Sequence, residues 1–444
     1  VSTAPSKPRS RHGRLPRRIH PVWVVAAAAS HATFCKTAQA QLLDRYYPAN
    51  VGAYQDWAAS TTGAQIDQGY APLGIRLGDF IISPTADIGI GYETDPFATA
   101  NATASAVLQT DATLRASSDW ARNSVSAYLA VDNSRYINLG RSVTDWTAAA
   151  GSRIQVAEDV IDLGYAHINA VALPTDIGAF GQPRAVVEQN DDLRASYTIG
   201  VGRISLVPAL QGDIFTFGLG GGGGGALPEG DGLFDRDALT ASLTANYQFA
   251  GGHNLVAILS DSVVRYGGGQ SPLRPADYND SSFLVGIEYK SSALLTYRAL
   301  VGYEERIPTG HGTTDSTLGA PAAELDVIYK PTVLTTLTGK LSQSFENSPT
   351  DSGQGLSETS LQLVLDHSLS RRVQLQASAR LIRATFANDG GSELEVAATA
   401  RAEMHLTRHI VISAEYDFSE SSGGNAQSIS FRNHEVLLRG RLQW

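Results

Sequence analysis

Residues Asp237–Ala250 read DALTASLTANYQFA. Leu239, Ala241, Leu243, Ala245, Tyr247 and Phe249 share one parity, and Thr240, Ser242, Thr244, Asn246 and Gln248 share the other. Successive side chains of a strand point to opposite faces, whereas a helix would need apolar residues at i, i+3 and i+4. The stretch therefore predicts a strand with one apolar and one polar face. It is also long enough for a tilted bilayer crossing, which takes about 9–11 residues.

The same alternation extends in both directions. In Arg372–Phe386, Val373, Leu375, Ala377, Ala379 and Leu381 oppose Gln374, Gln376, Ser378 and Arg380. In Glu393–Leu406, Leu394, Val396, Ala398, Ala400, Ala402 and Met404 oppose Glu393, Glu395, Ala397, Thr399, Arg401 and Glu403. Eighteen such strands are expected, near 84–94, 106–117, 123–132, 143–157, 160–170, 187–200, 203–216, 236–250, 254–266, 280–290, 293–304, 322–331, 333–345, 356–368, 371–385, 392–406, 409–418 and 428–444.

The connections alternate in length. Short turns are expected at Asp119–Arg122, Glu158–Asp159, Val201–Gly202, Gly251–His253, Ser291–Ser292, Pro331–Thr332, Leu369–Ser370 and Thr407–Arg408. Longer segments rich in Gly, Pro, Asp, Asn and Ser lie between the other pairs, among the longest 171–186, 217–235 and 305–321. Sorting of loops by parity is a property of membrane barrels, with tight turns on one side and long loops on the other. The fold expected is all-β, an antiparallel up-and-down transmembrane β-barrel of about 18 strands (16–18), with short periplasmic turns and long extracellular loops.

Composition agrees. Of the 444 residues, 43% are hydrophobic and only 18% charged, and no run of eighteen apolar residues offers a transmembrane helix. A barrel carries a much weaker hydropathy signal and is not excluded by that.

In a closed sheet every backbone group is paired and the apolar parity meets lipid, so the other parity faces the lumen. An Arg or Lys on the lipid face costs about 2–4 kcal/mol near the midplane, which drives charge inward. The expected pore-lining residues are Asp111, Arg115, Arg194, Glu288, Arg298, Asp366, Arg380, Glu393, Arg401, Glu415, Arg439 and Arg441. Tyr247, Phe249, Tyr266, Tyr289, Tyr303, Phe345, Phe386, Tyr416, Phe418 and Trp444 are expected in aromatic girdles on the lipid side. Few aromatics, Tyr128 among them, are expected inside.

The two ends have their own signals. Lys7, Arg9, Arg11, Arg14, Arg17 and Arg18 precede an apolar run, Val22–Ala29, and an Ala38-Gln39-Ala40 cleavage pattern. That order predicts a signal peptide over 1–40. Residues 41–83, with weak periodicity and several prolines, are expected to form a periplasmic N-terminal segment or to pack at the barrel mouth, and 84–444 to form the barrel. Seven of the 34 basic residues and none of the 44 acidic ones lie in 1–40, so the remainder would carry a net charge of −17 and is a poor partner for nucleic acid. The only cysteine, Cys35, lies in that leader. At the other end, Val436, Leu438, Gly440, Leu442 and Trp444 alternate up to a terminal aromatic. This layout resembles the C-terminal signal read by the outer-membrane barrel-assembly machinery.

Tyr70–Asp95 reads YAPLGIRLGDFIISPTADIGIGYETD. Pro72, Gly74, Arg76, Gly78 and Phe80, followed by Pro84, Tyr92 and Asp95, resemble the start of the putative beta-barrel porin 2 family of bacterial outer-membrane proteins. The family's Asp-Asn pair after the first strand is replaced here by Glu93-Thr94-Asp95. The resemblance implies a bacterial outer-membrane channel, and for some members an association with exopolysaccharide export.

No HExxH, GxSxG or CxxC pattern occurs, and the glycine run Gly218–Gly232 lacks the Lys-Ser/Thr pair of a phosphate loop. His405 and His409 flank a turn and do not form a metal face. No catalytic residue, metal or cofactor is expected. The expected function is porin-like diffusion or export of hydrophilic solutes through a charged, water-filled lumen. The rival readings are an exopolysaccharide-export component or a plugged structural barrel. The expected partners are outer-membrane lipid, lipopolysaccharide and the assembly machinery, with polysaccharide-export partners under the rival reading.

Overall fold

A computed structural model describes residues 46–54, 70–98, 102–173, 186–219, 234–267, 274–290, 294–309, 317–346, 356–386, 391–423 and 430–444. Of two compact units, Val1–Ser30 and His31–Trp444, all described residues belong to the second. The leader expected over 1–40, most of the glycine run and most of the 171–186 loop fall outside them.

A short strand, β1 (Ile75–Leu77), precedes eighteen long ones. These are β2 (Phe80–Glu93), β3 (Ser105–Ser118), β4 (Ser124–Tyr136), β5 (Arg141–Val156), β6 (Asp159–Ala172), β7 (Val186–Val201), β8 (Ile204–Leu219), β9 (Arg236–Ala250), β10 (His253–Tyr266), β11 (Asp277–Tyr289), β12 (Leu295–Thr309), β13 (Leu318–Thr332), β14 (Thr335–Glu346), β15 (Leu356–Ser368), β16 (Val373–Phe386), β17 (Ser392–His405), β18 (Ile410–Gly423) and β19 (Phe431–Gln443). From β2 to β19 each strand pairs antiparallel with the next. The ring closes where β19 pairs with β2, from Glu435↔Glu93 to Gln443↔Thr85. Closure leaves the ring no free edge, as a sheet in lipid requires. β1 adds a small hairpin to the start of β2.

The alternation maps onto two faces. Leu239 is 59% exposed while its neighbour Thr240 is 3%. Leu243, Tyr247 and Phe249 follow Leu239, as do Leu438 and Leu442 on β19 and Trp444 just after it. The other parity is concave: Arg439 on β19 reaches past β2 to Asp111 on β3 at 3.3 Å. Such reach is available where side chains two strands apart converge, on the inside of a cylinder.

The strands run further than their alternation. β4, β12, β13 and β18 extend to Tyr136, Thr309, Leu318 and Gly423, into segments expected to be loop. Near the long loops both faces of a strand meet polar surroundings, so the two-residue period fades while the hydrogen-bond ladder continues. β2 starts at Phe80 and passes through Pro84. Trp444 N donates to Pro84 O at 3.2 Å, so the backbone of Pro84 faces β19 just where β19 ends. Its missing N–H breaks no ladder bond there. The turn expected at Pro331–Thr332 lies instead between Thr332 and Thr335, after a bulge following Tyr329.

Three of the expected girdle aromatics are corrected. Tyr266 packs with Val264 and Tyr278, and Phe386 with Leu356 and Ala384, in buried clusters. Phe345 is buried with the guanidinium of Arg306 5.4 Å from its ring. All three sit at the long-loop end of their strands, where the inner wall is packed. The lipid parity carries charge as well: near the middle of β6 and β7, Asp191 accepts bonds from Tyr165 Oη (2.5 Å) and His167 (2.8 Å), and at the long-loop end of β19 Arg432 pairs with Glu420 at 2.8 Å.

Candidate functional site

The inner wall holds the chemistry. Five of the residues singled out in the sequence come together across the seam that closes the ring. Arg401 lies 2.8 Å from Glu403 and 3.3 Å from Glu415, and Arg439 lies 3.3 Å from Asp111 and 3.6 Å from Glu415. Arg441 joins Asp87 (2.8 Å) and Glu403 (3.9 Å). The others are dispersed around the ring. Arg380 pairs with Glu395 at 3.6 Å, Arg298 with Glu324 at 3.5 Å, and Glu288 with Lys290 at 3.2 Å. Asp366 accepts a bond from Gln376 at 2.8 Å, and Glu393 accepts one from Ser421. On this wall nearly every such charge faces an opposite one, because strands with the same inward parity lie side by side.

Arg115 and Arg194 have a different partner, the N-terminal segment 46–54, which lies against the inner parity of β3 to β7. Arg115 Nη1 donates to Ala49 O at 2.7 Å, and Tyr46 Oη donates to Asp145 at 2.5 Å. Tyr54 Oη donates to Asp192 at 2.6 Å, and Arg194 grips the same carboxylate through Nε and Nη2 at 3.0 and 3.1 Å. The rings of Tyr47 and Tyr54 stack 5.7 Å apart, and the Arg194 guanidinium lies 4.4 and 4.7 Å from their centroids. Burial, reinforced by the Asp192 charge, pushes both phenols well above their ordinary range, so they stay protonated and act as donors.

Two facing glycines make room for this segment. Gly151 on β5 pairs with Gly164 on β6. A Cβ on Gly151 would stand 2.6 Å from Gly52 Cα, and one on Gly164 would stand 2.7 Å from the Tyr54 ring. Gly52 is itself in the left-handed region, at φ +48°. Ala53 N then donates to Leu163 O at 3.3 Å, so the segment is tied to the wall by its backbone as well.

Towards the long loops the wall changes character. Arg306, 1% exposed, makes a two-pronged pair with Asp280 at 2.8 and 2.7 Å and lies 4.1 Å over the ring of Tyr278. Arg236 lies over Phe215, and Phe97 packs edge-on to Tyr136. The expectation of few inner aromatics is therefore corrected. They gather at strand ends, where alternation is weakest. Arg306, Asp280 and Arg236 were not singled out in the sequence; continuing the inner parity of Glu288 and Arg298 to the strand ends would have reached the first two.

A family model described as putative beta-barrel porin 2 matches residues 67–218 and 275–444. No curated protein matches the chain. Several solved structures are similar. OccAB3 of Acinetobacter baumannii is 10% identical with a TM-score of 0.43, over 83% of this chain and 100% of its own. OccK2 of Pseudomonas aeruginosa, solved with glucuronate, is 11% identical with a TM-score of 0.44, over 83% and 99%. The FrpB iron transporter of Neisseria meningitidis is 8% identical with a TM-score of 0.45, over 81% and 70%.

Proposed function

Because this chain belongs to the putative beta-barrel porin 2 family, we propose that it is a porin-like channel of the bacterial outer membrane that passes hydrophilic solutes through a lumen lined by Arg and Asp/Glu. The observation that carries this reading is the closed ring of eighteen antiparallel strands with its charged parity inside. A barrel of that strand number encloses more space than its own side chains fill. In this reading Asp111, Glu415, Arg401, Arg439 and Arg441 form one charged strip of the lining, and Arg380, Glu393, Glu288, Arg298 and Asp366 supply the rest. Val436, Leu438, Gly440, Leu442 and Trp444 serve the assembly machinery, and 1–40 is removed on export.

Segment 46–54 favours a second reading of the same channel, in which one side of the lumen is plugged. Its contacts with Asp145, Asp192 and Arg115 span β3 to β7. The inner aromatics are packed in buried clusters and not arranged as a path, which gives the polysaccharide-export reading little support.

Planar-bilayer recording of the refolded full chain tests both. Steady open-pore current is expected of a porin. Silence that persists after residues 46–54 are deleted would leave only a structural barrel.

A further inference from the structure

β5 to β8 carry two rows of polar side chains on the lipid parity. In one row Trp146, Asn169, Gln189 and Thr216 stand side by side on the four strands. In the next, His167 stands beside Asp191. Apolar residues of the same parity frame them. Leu193 and Ile214 are 61% and 54% exposed, and Val171 pairs with Val187 on the long-loop side. Polar residues occur elsewhere on this parity, as at Asp261, which accepts a bond from Ser281. At β5–β8 they run unbroken across neighbouring strands.

The bonds within the patch leave part of it unused. Asp191 Oδ1 accepts from Tyr165 Oη and meets His167 Nδ1, Thr216 donates to Gln189 Oε1 at 3.3 Å, and the His167 ring lies 4.7 Å from that of Trp146. Asp191 Oδ2, His167 Nε2, the Trp146 indole N–H and the amide groups of Asn169 and Gln189 remain. Among the described residues nothing in the chain takes these up. They are open to the outside: the Asp191 side chain is 42% exposed and that of His167 24%. Acyl chains offer no hydrogen-bond partner, so such groups on a lipid-facing wall stay unsatisfied until protein covers them. Val171 and Val187 stand between them and the headgroups on the long-loop side.

We propose that this outer face of β5–β8 is the contact surface between two copies of the chain in the membrane, related by a two-fold axis along the membrane normal. The patch holds donors and acceptors together, so it is its own complement. A two-fold axis through it sets the donors of one copy against the acceptors of the other, and the reverse. The wall is also braced from within, where Gly151, Gly164 and Asp192 on the opposite parity of β5, β6 and β7 hold segment 46–54. A wall already held in shape loses little freedom on association. The proposal goes beyond the channel reading and does not need the pore to be open; it needs only this wall to face lipid.

The test is sedimentation equilibrium of the full chain, refolded in density-matched micelles, together with oxidative crosslinking in lipid vesicles. Cys35, the only cysteine, is first replaced by Ser. Ala148→Cys then places a thiol beside His167, and Leu381→Cys places one on the outward face of β16. Dimers are expected, with disulfide-linked dimer from Ala148→Cys and none from Leu381→Cys. The triple variant Y165F/H167L/D191L leaves no charge in the patch and is expected to raise the dimer dissociation constant about tenfold or more. A monomer in vesicles, crosslinking through Leu381→Cys in place of Ala148→Cys, or undiminished dimer in the triple variant would overturn the proposal. So would a monomer whose bound lipopolysaccharide is lost in the triple variant, which would assign the rows to lipid headgroups. Should the triple variant fail to fold, the two crosslinking positions still decide.

Discussion

Asp280 and Arg306 are both shut away from solvent, and each exists as a charge because of the other. Removing one member of a buried pair leaves the other uncompensated, so Asp280→Ala is expected to destabilise the barrel by about 3–5 kcal/mol in reversible denaturant unfolding in lipid. Asp280→Leu combined with Arg306→Met is expected to restore most of that loss. Gly151 works in the opposite sense, through the side chain it lacks. Gly151→Val drives a methyl group into Gly52. The expected result is release of segment 46–54 with the barrel intact, seen as a rise in single-channel conductance. A variant conducting like the unmodified chain would show that the segment does not obstruct flow. Residues of these two kinds differ in legibility. Parity alone places an Arg or Asp on a face, but the need for glycine at 151 arises only where 52 comes to rest.

At the scale of the strand, the face was readable because its period of two is set by backbone geometry. The lipid side of β11 gives a direct check. Val285, between Phe283 and Ile287, points outward near the middle of its strand. Val285→Arg is expected to cost about 2–4 kcal/mol, whereas the inward Ser378→Arg should stay within about 1 kcal/mol. Equal costs would mean the faces are wrongly assigned. Strand ends were less readable. Tyr266 and Phe386 look like girdle aromatics because they end strands, yet their parity turns them into the packed inner wall. Pro84 looks like a strand boundary, yet it sits inside β2 because the neighbour it could not bond has already stopped.

At the scale of the whole molecule, the seam and the N-terminal segment decide what the barrel can do. Pairing of Leu437 with Gly91 and of Arg439 with Gly89 brings Arg439 within reach of Asp111, residues more than three hundred positions apart. Deletion of residues 46–54 is expected to raise conductance by roughly twofold or more, because eighteen strands alone leave a wide aqueous lumen. The companion Tyr54→Phe, which loses one hydroxyl contact to Asp192, is expected to produce intermittent rather than permanent opening in single-channel traces.

Strand number, the greasy and wet faces, and the parity of the charged residues were all determined by sequence, because each follows from the backbone repeat within a single segment. The register of the closing seam and the glycine-lined berth for residues 46–54 were decided only by tertiary structure. Each depends on which residues of different strands stand opposite one another, and that is set by the closure of the ring rather than by any one strand.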